Sequence, residues 1–233
     1  IKVAIIDSGV DKTHPDLSDN ISSLSYDIMT GTSPSRVYDK HGTCCAGVIG
    51  AIRNNGIGIV GIAPNVEIMP ISLDFEGNLN GSQMADAINW AWQNGADVIN
   101  MSLTCSPNDK MTDAIKNALT KGRNGKGCVV VAASGNQGQS SVGYPANVEG
   151  VIAVGSIDRN GLHDPDSNYG ENLDFVAPGV NVWTTILNGE YDVLNGTSLA
   201  APMISGIAAL LLSLDSEATA SEVYWNMVDA CRE

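Results

Sequence analysis

The sequence predicts an α/β fold: a doubly wound, mostly parallel central sheet with helices on both faces. Three observations carry that expectation. Short apolar runs at residues 3–6, 66–73, 98–103, 128–133 and 151–157 have strand length without polar alternation, the pattern of strands buried on both faces. Segments with helical spacing alternate with these runs, as right-handed crossover connections require. The 233 residues, 43% of them hydrophobic, suffice for one sizeable core, so a single domain over 1–233 is expected.

Taken in order, the first run ends in Ile5-Ile6-Asp7-Ser8-Gly9. Asp7 therefore falls at the C-terminal end of a strand, where functional groups of open α/β sheets collect, although Asp before Ser-Gly is also an ordinary turn former. Next, Asp39-Lys40-His41-Gly42-Thr43-Cys44-Cys45-Ala46-Gly47-Val48-Ile49-Gly50 reads as a helix that opens on His41 and whose small residues allow close packing. Over 82–94, Met84, Ile88, Ala91 and Trp92 recur at helical spacing before the stop signal Gly95, and Met111, Ile115, Ala118 and Leu119 repeat this before Gly122. The run 128–133 leads into Ser134-Gly135-Asn136-Gln137-Gly138, a Gly-Asn turn. Asn188-Gly189, between 182–186 and 191–193, signals a small β-hairpin towards the C-terminal side.

The last segment, Asn195-Gly196-Thr197-Ser198-Leu199-Ala200-Ala201-Pro202, runs into the apolar stretch 203–212, which reads as a buried helix. At such a helix start, unpaired N–H groups and the dipole favour negative charge. Thr197 and Ser198 are also good N-caps, and Pro202 suits a first turn, so this stretch alone supports a capping role as well as a nucleophile.

Composition excludes several classes. Twelve Lys and Arg against 26 Asp and Glu give a formal net charge of −14, which speaks against nucleic-acid or anionic-membrane binding. No run of 18 apolar residues occurs, so no membrane span is expected. The opening on Ile1-Lys2-Val3, without Met or leader, reads as a processed or trimmed fragment. Five cysteines at 44, 45, 105, 128 and 231 leave at least one unpaired and form no metal-type pair.

A serine hydroxyl needs a base, and a base needs an orienting carboxylate. Asp7-Ser8-Gly9, His41-Gly42-Thr43 and Gly196-Thr197-Ser198-Leu199-Ala200-Ala201-Pro202, in the order Asp, His, Ser, resemble the three signature motifs of the subtilisin-like serine proteases. The resemblance covers essentially the whole chain. It implies a serine endopeptidase with Asp7, His41 and Ser198 as catalytic residues and Asn136 as oxyanion-hole donor. The alternative is a protease-like fold limited to self-processing or binding.

The resemblance further implies that Asn100-Met101-Ser102-Leu103 pairs with an extended substrate. Ser102 and Leu103 would border the pocket for the residue before the cleaved bond, with Ser134 and Gly135 opposite and 143–147 as floor. Thr104-Cys105-Ser106 stands where glycines usually follow in the family, which puts a broad apolar preference in doubt. A structural calcium ion is implied at Asp16 and Asn55, with backbone oxygens of Ile52, Ile57 and Ile59, and no cofactor for catalysis. Cys45, one turn after His41, reads as a small buried residue, and Leu199 stands where many relatives carry Met. Expected partners are extended polypeptides and a propeptide or protein inhibitor. The expected form is a secreted monomer.

Overall fold

The computed structural model describes residues 1–77 and 80–231. Its strands and helices follow the predicted alternation: β1 (Lys2–Asp7), β2 (Tyr26–Asp27), α1 (His41–Gly50), β3 (Glu67–Ser72), α2 (Gly81–Gln93), β4 (Val98–Met101), α3 (Asp109–Gly125), β5 (Val129–Ala133), β6 (Ile152–Ile157) and β7 (Phe175–Pro178). The hairpin strands β8 (Val182–Thr185) and β9 (Tyr191–Leu194) precede α4 (Thr197–Leu214) and α5 (Ala220–Ala230). The strands β2-β3-β1-β4-β5-β6-β7 form one sheet in that order, every neighbouring pair parallel, and β8-β9 form a separate antiparallel pair.

Both faces of the sheet are covered, which is why the central strands are apolar throughout. Alternate residues of β1 go to opposite cores: Val3 and Ile5 pack with α1, α4 and α5, whereas Ala4 and Ile6 pack with α2 and α3. Two strands escaped the sequence reading. β2 is only two residues long, and β7 is an edge strand whose burial alternates, so neither shows a continuous apolar run. The hairpin forms where Asn188-Gly189 predicts it, with φ of 64° and 75° at the two residues, the left-handed region these residue types tolerate.

α4 is apolar along its 18 residues, and 67% of it is buried within the molecule's own core. The helix starts six residues before the apolar stretch, so Pro202 lies inside it and not in its first turn.

The hairpin is fastened to α1 through small and β-branched residues. Thr184 Oγ1 donates to the Cys44 carbonyl and Thr185 Oγ1 to the Thr43 carbonyl, each at 2.7 Å. These bonds bring β8 so close that a Cβ on Gly47 would overlap Thr185 Oγ1 and lie 2.8 Å from Thr184 Oγ1 and 3.0 Å from the Thr185 nitrogen. Gly to Ala in a helix ordinarily stabilises by about 1 kcal/mol. Here overpacking of buried, hydrogen-bonded neighbours outweighs it, and Gly47→Ala is expected to lower the free energy of unfolding by about 2 kcal/mol. Chemical denaturation checks this, and a stabilised variant would contradict the packing described.

Candidate active site

β1, β4 and β5 are adjacent and parallel, so Asp7, Ser102 and Ser134 emerge at the same edge of the sheet. Such an edge, at the carboxyl ends of the strands, is where open α/β sheets place their crevice. α1 and α4 both begin there, on His41 and Thr197.

His41 Nδ1 lies 2.8 Å from Asp7 Oδ1 and 2.9 Å from Oδ2, and the Ser8 N–H donates to Asp7 Oδ1 at 2.7 Å. Asp7 is fully buried, whereas the His41 side chain is 30% exposed. The Asp7 charge raises the His41 pKa above the ordinary imidazole value, burial opposes this, and the hydrogen bond to Asp7 and the charge of Asp39 add to the rise. With Nδ1 committed to Asp7, Nε2 is the nitrogen left for proton exchange. Among the described residues, the hydrogen bonds of His41 run to Asp7 and Asp39 and none reaches Ser198 Oγ; such contacts commonly tighten only with substrate.

The start of α4 departs from the expected capping. Its N-cap is Gly196, with φ 135° and no side chain to accept, and neither Thr197 nor Ser198 caps the helix. The cap comes from another strand end: the Thr197 N–H and Oγ1 donate to Asn136 Oδ1 at 2.9 and 2.8 Å. Asn136 is thereby oriented with its Nδ2 as the outward donor. A point one Cβ away from Gly196 lies 3.2 Å from both Asn136 Nδ2 and Ser198 Oγ, so amide and hydroxyl flank the same space. The Ser198 N–H is second in the helix and has no intrahelical acceptor within reach.

Pro202 has no N–H to return to the carbonyl four residues earlier, that of Ser198. The freed oxygen accepts from Ser102 Oγ at 2.9 Å and from Cys45 Sγ at 3.5 Å. Cys45 also lies 3.8 Å from Asp7 Oδ2 and is fully buried, and burial, then the Asp7 charge, holds its thiol well above its usual pKa. It therefore acts as a small donor between β1 and α4, as its expected role as a buried residue requires.

Of the predicted substrate-binding residues, Ser102 and Ser134 are buried, Leu103 is half-buried and Thr104 is exposed. Ser134 Oγ is turned away, donating to the Asn168 carbonyl at 3.0 Å, so this wall presents backbone; Gly135 follows with φ 109°. Along Ser102 to Met111 runs a groove of about 730 Å³ that starts at Asp39 and His41 and includes Phe75 and Met84. Sequence reading missed Thr197 as the group that orients Asn136, Ser102 as a partner of the Ser198 carbonyl, and Asp39 as a second charge beside His41. Only the second had a signal: Pro202, four residues after Ser198, leaves an acceptor in want of a donor.

The expected calcium residues come together, but in the wrong sense for a cation. Asp16 Oδ1 accepts from Asn55 Nδ2 at 2.6 Å, and Oδ2 accepts from the Ile59 N–H at 2.8 Å and from the Tyr191 hydroxyl at 3.2 Å. Asn55 Oδ1 is turned to the Ile57 N–H. Burial, then the Asp16 charge, pushes the Tyr191 hydroxyl up to about 12, which keeps it a donor. A calcium ion needs inward oxygen lone pairs; donors meet the Asp16 carboxylate instead, and the set does not fit the ion. All five thiols are free.

Comparison with known proteins agrees with this architecture. The model of the subtilase family matches residues 1–231. The thermophilic serine proteinase of Bacillus sp. (strain AK1) is 44% identical over 213 residues, 91% of this chain and 52% of that protein. Subtilisin DY of Bacillus licheniformis is 41% identical over 228 residues, covering 96% of this chain and 80% of that protein. Against several others, such as subtilisin NAT of Bacillus subtilis subsp. natto, the chain likewise spans about half the relative's length, 55% in that case. Among solved structures, a protease from Pseudoalteromonas arctica PAMC 21717 superposes with a TM-score of 0.89 at 32% identity, over 100% of this chain and 83% of that one. A cold-adapted subtilisin-like serine proteinase gives 0.84 at 28% identity, over 96% and 79%. The chain belongs to the subtilase family.

Proposed function

We propose that this chain is a serine endopeptidase that cleaves extended polypeptide segments through an acyl-enzyme. The observation that carries the reading is the presence of two devices at one sheet edge: a His41 imidazole held by a buried Asp7, and Asn136 Nδ2 flanking the same space as Ser198 Oγ. Ser198 Oγ attacks the scissile carbonyl carbon while His41 Nε2 takes its proton. The oxyanion is met by Asn136 Nδ2 and the Ser198 N–H, which lies at the positive end of α4. As the C–N bond breaks, His41 returns the proton to the leaving amine; water then adds to the ester carbonyl by the same proton exchange and releases the acid. Asp7 keeps Nδ1 protonated throughout. The reading extends to a secreted monomer with a propeptide or protein inhibitor as partner, on the family likeness alone.

A fluorophosphonate probe is expected to label Ser198, and Ser198→Ala to abolish both labelling and peptide cleavage. Folded protein whose Ser198 stays unlabelled would leave only a binding or self-processing role. Asn136→Leu is expected to lower kcat about 10²- to 10³-fold, the loss known for the equivalent change in subtilisin and not a magnitude derived from this chain.

The pH dependence follows from the raised His41 pKa. The base works only when neutral, so activity is lost as pH falls through that raised value. Asp39→Asn removes one of the charges that raise it, and the acid limb of kcat/KM is expected to move to lower pH. Asp39 is exposed, so the shift should shrink as salt is added. An acid limb that stays put or moves up would contradict this electrostatic account.

For calcium, we propose that hydrogen bonds replace the ion at Asp16. A chelator is expected to change Tm by less than about 1 °C, whereas a site filled to a hundred times its Kd would contribute roughly 2.7 kcal/mol, several degrees here. A Tm that drops by several degrees on chelation and recovers with added calcium would reverse this assignment.

A further inference from the structure

The primary specificity pocket carries an obstruction of its own. Both of its walls leave the sheet beside the nucleophile: Ser102 Oγ binds the Ser198 carbonyl at 2.9 Å, and the Gly135 N–H donates to Thr197 Oγ1 at 3.3 Å. By the family likeness, the gap between Ser102–Thr104 and Ser134–Gly135 receives the side chain preceding the cleaved bond of a substrate attacked at Ser198. The floor is Gly143-Tyr144, and it is stitched to both walls. The Gly143 N–H donates to the Ser134 carbonyl at 2.8 Å, and the Cys105 N–H donates to the Tyr144 carbonyl at 2.9 Å. The width of the gap is thus set by backbone hydrogen bonds, and widening it would break them.

What remains above the floor can be probed at Gly143. A carbon placed there as a Cβ would lie 2.9 Å from Thr104 Cγ2 and 3.1 Å from the Ser134 carbonyl oxygen. Carbon atoms in contact need about 3.5–4.0 Å. The Thr104 methyl, projecting from one wall, and the Ser134 carbonyl, on the other, therefore already occupy the space just above the floor. Because Thr is branched at Cβ, turning about χ1 in one direction only exchanges the methyl for the hydroxyl at that place.

We propose that Thr104 is a specificity-determining residue that shortens this pocket, so that the chain selects Gly, Ala or Ser before the cleaved bond and disfavours Phe, Tyr and Leu. The inference rests on the endopeptidase reading above and deepens it by naming the substrate class.

The test uses the full chain and a set of fluorogenic peptides that differ only in the residue before the cleaved bond. Ala is expected to exceed Phe in kcat/KM by about tenfold or more, the scale on which a pocket discriminates small differences in side-chain size. Thr104→Ser removes only the methyl and Thr104→Gly the whole side chain. Both should raise the Phe to Ala ratio, the glycine variant by about tenfold or more. Thr104→Ser keeps the test open if the glycine variant fails to fold. A wild-type preference for Phe over Ala, or a ratio unmoved in a folded variant, would overturn the proposal. Fluorophosphonate labelling separates the two readings. Labelled Ser198 without the small-residue preference defeats only this inference. Unlabelled, inactive protein defeats the endopeptidase reading and this inference with it.

Discussion

The site depends on backbone groups that a helix cannot pair for itself. α4 begins at Thr197 with N–H groups that lack intrahelical acceptors, and Pro202 leaves the Ser198 carbonyl without its intrahelical donor. Left buried and unsatisfied, each such group costs about 1–3 kcal/mol. The fold resolves them by bringing in other strand ends: Asn136, after β5, takes the Thr197 N–H, and Ser102, after β4, takes the Ser198 carbonyl. The same bonds that satisfy the helix terminus thus fix Ser198 relative to the ends of β4 and β5. The N–H of Ser198, not used in this way, is the one the proposed chemistry employs as oxyanion donor.

Around that frame, burial and charge divide the work. Asp7 is sealed at the end of β1, where the Ser8 N–H and His41 Nδ1 meet its carboxylate, and Cys45 fills the space behind it as a thiol that burial keeps protonated. His41 stands at the start of α1 and remains partly exposed, so one nitrogen is committed to the interior while the other faces chemistry. The hairpin β8-β9 braces α1 from outside through Thr184 and Thr185, and Tyr191 of β9 reaches on to Asp16. The hairpin therefore contacts both the Asp16 loop and the helix that carries His41. Hydrogen-bond donors serve in that loop where the family likeness suggested a cation.

Much of this was legible in the residues themselves. Unbroken apolar runs identified the buried strands because both sheet faces are covered, and small residues marked α1 because its neighbours come close. The motifs around Asp7, His41 and Ser198 stood out through their resemblance to those of the subtilisin-like serine proteases, in which a serine nucleophile is served by a base and its orienter. The elements that escaped notice were β2, two residues long, β7, an edge strand with one face exposed, and α5, whose Thr219–Glu222 capping box was a signal left unread.

What the sequence by itself determined, then, was the alternation of strands and helices and the acidic balance of the chain. These follow from hydrophobicity, charge and spacing along the chain. Only the tertiary structure decided which atoms satisfy which. It replaced self-capping by Thr197 or Ser198 with capping by Asn136, turned Asn55 to present its amide N–H to Asp16, and set the Thr104 methyl over Gly143. Each of these is a contact between segments some 40 to 60 residues apart, where hydrogen-bond direction and van der Waals distance, rather than local propensity, choose the outcome.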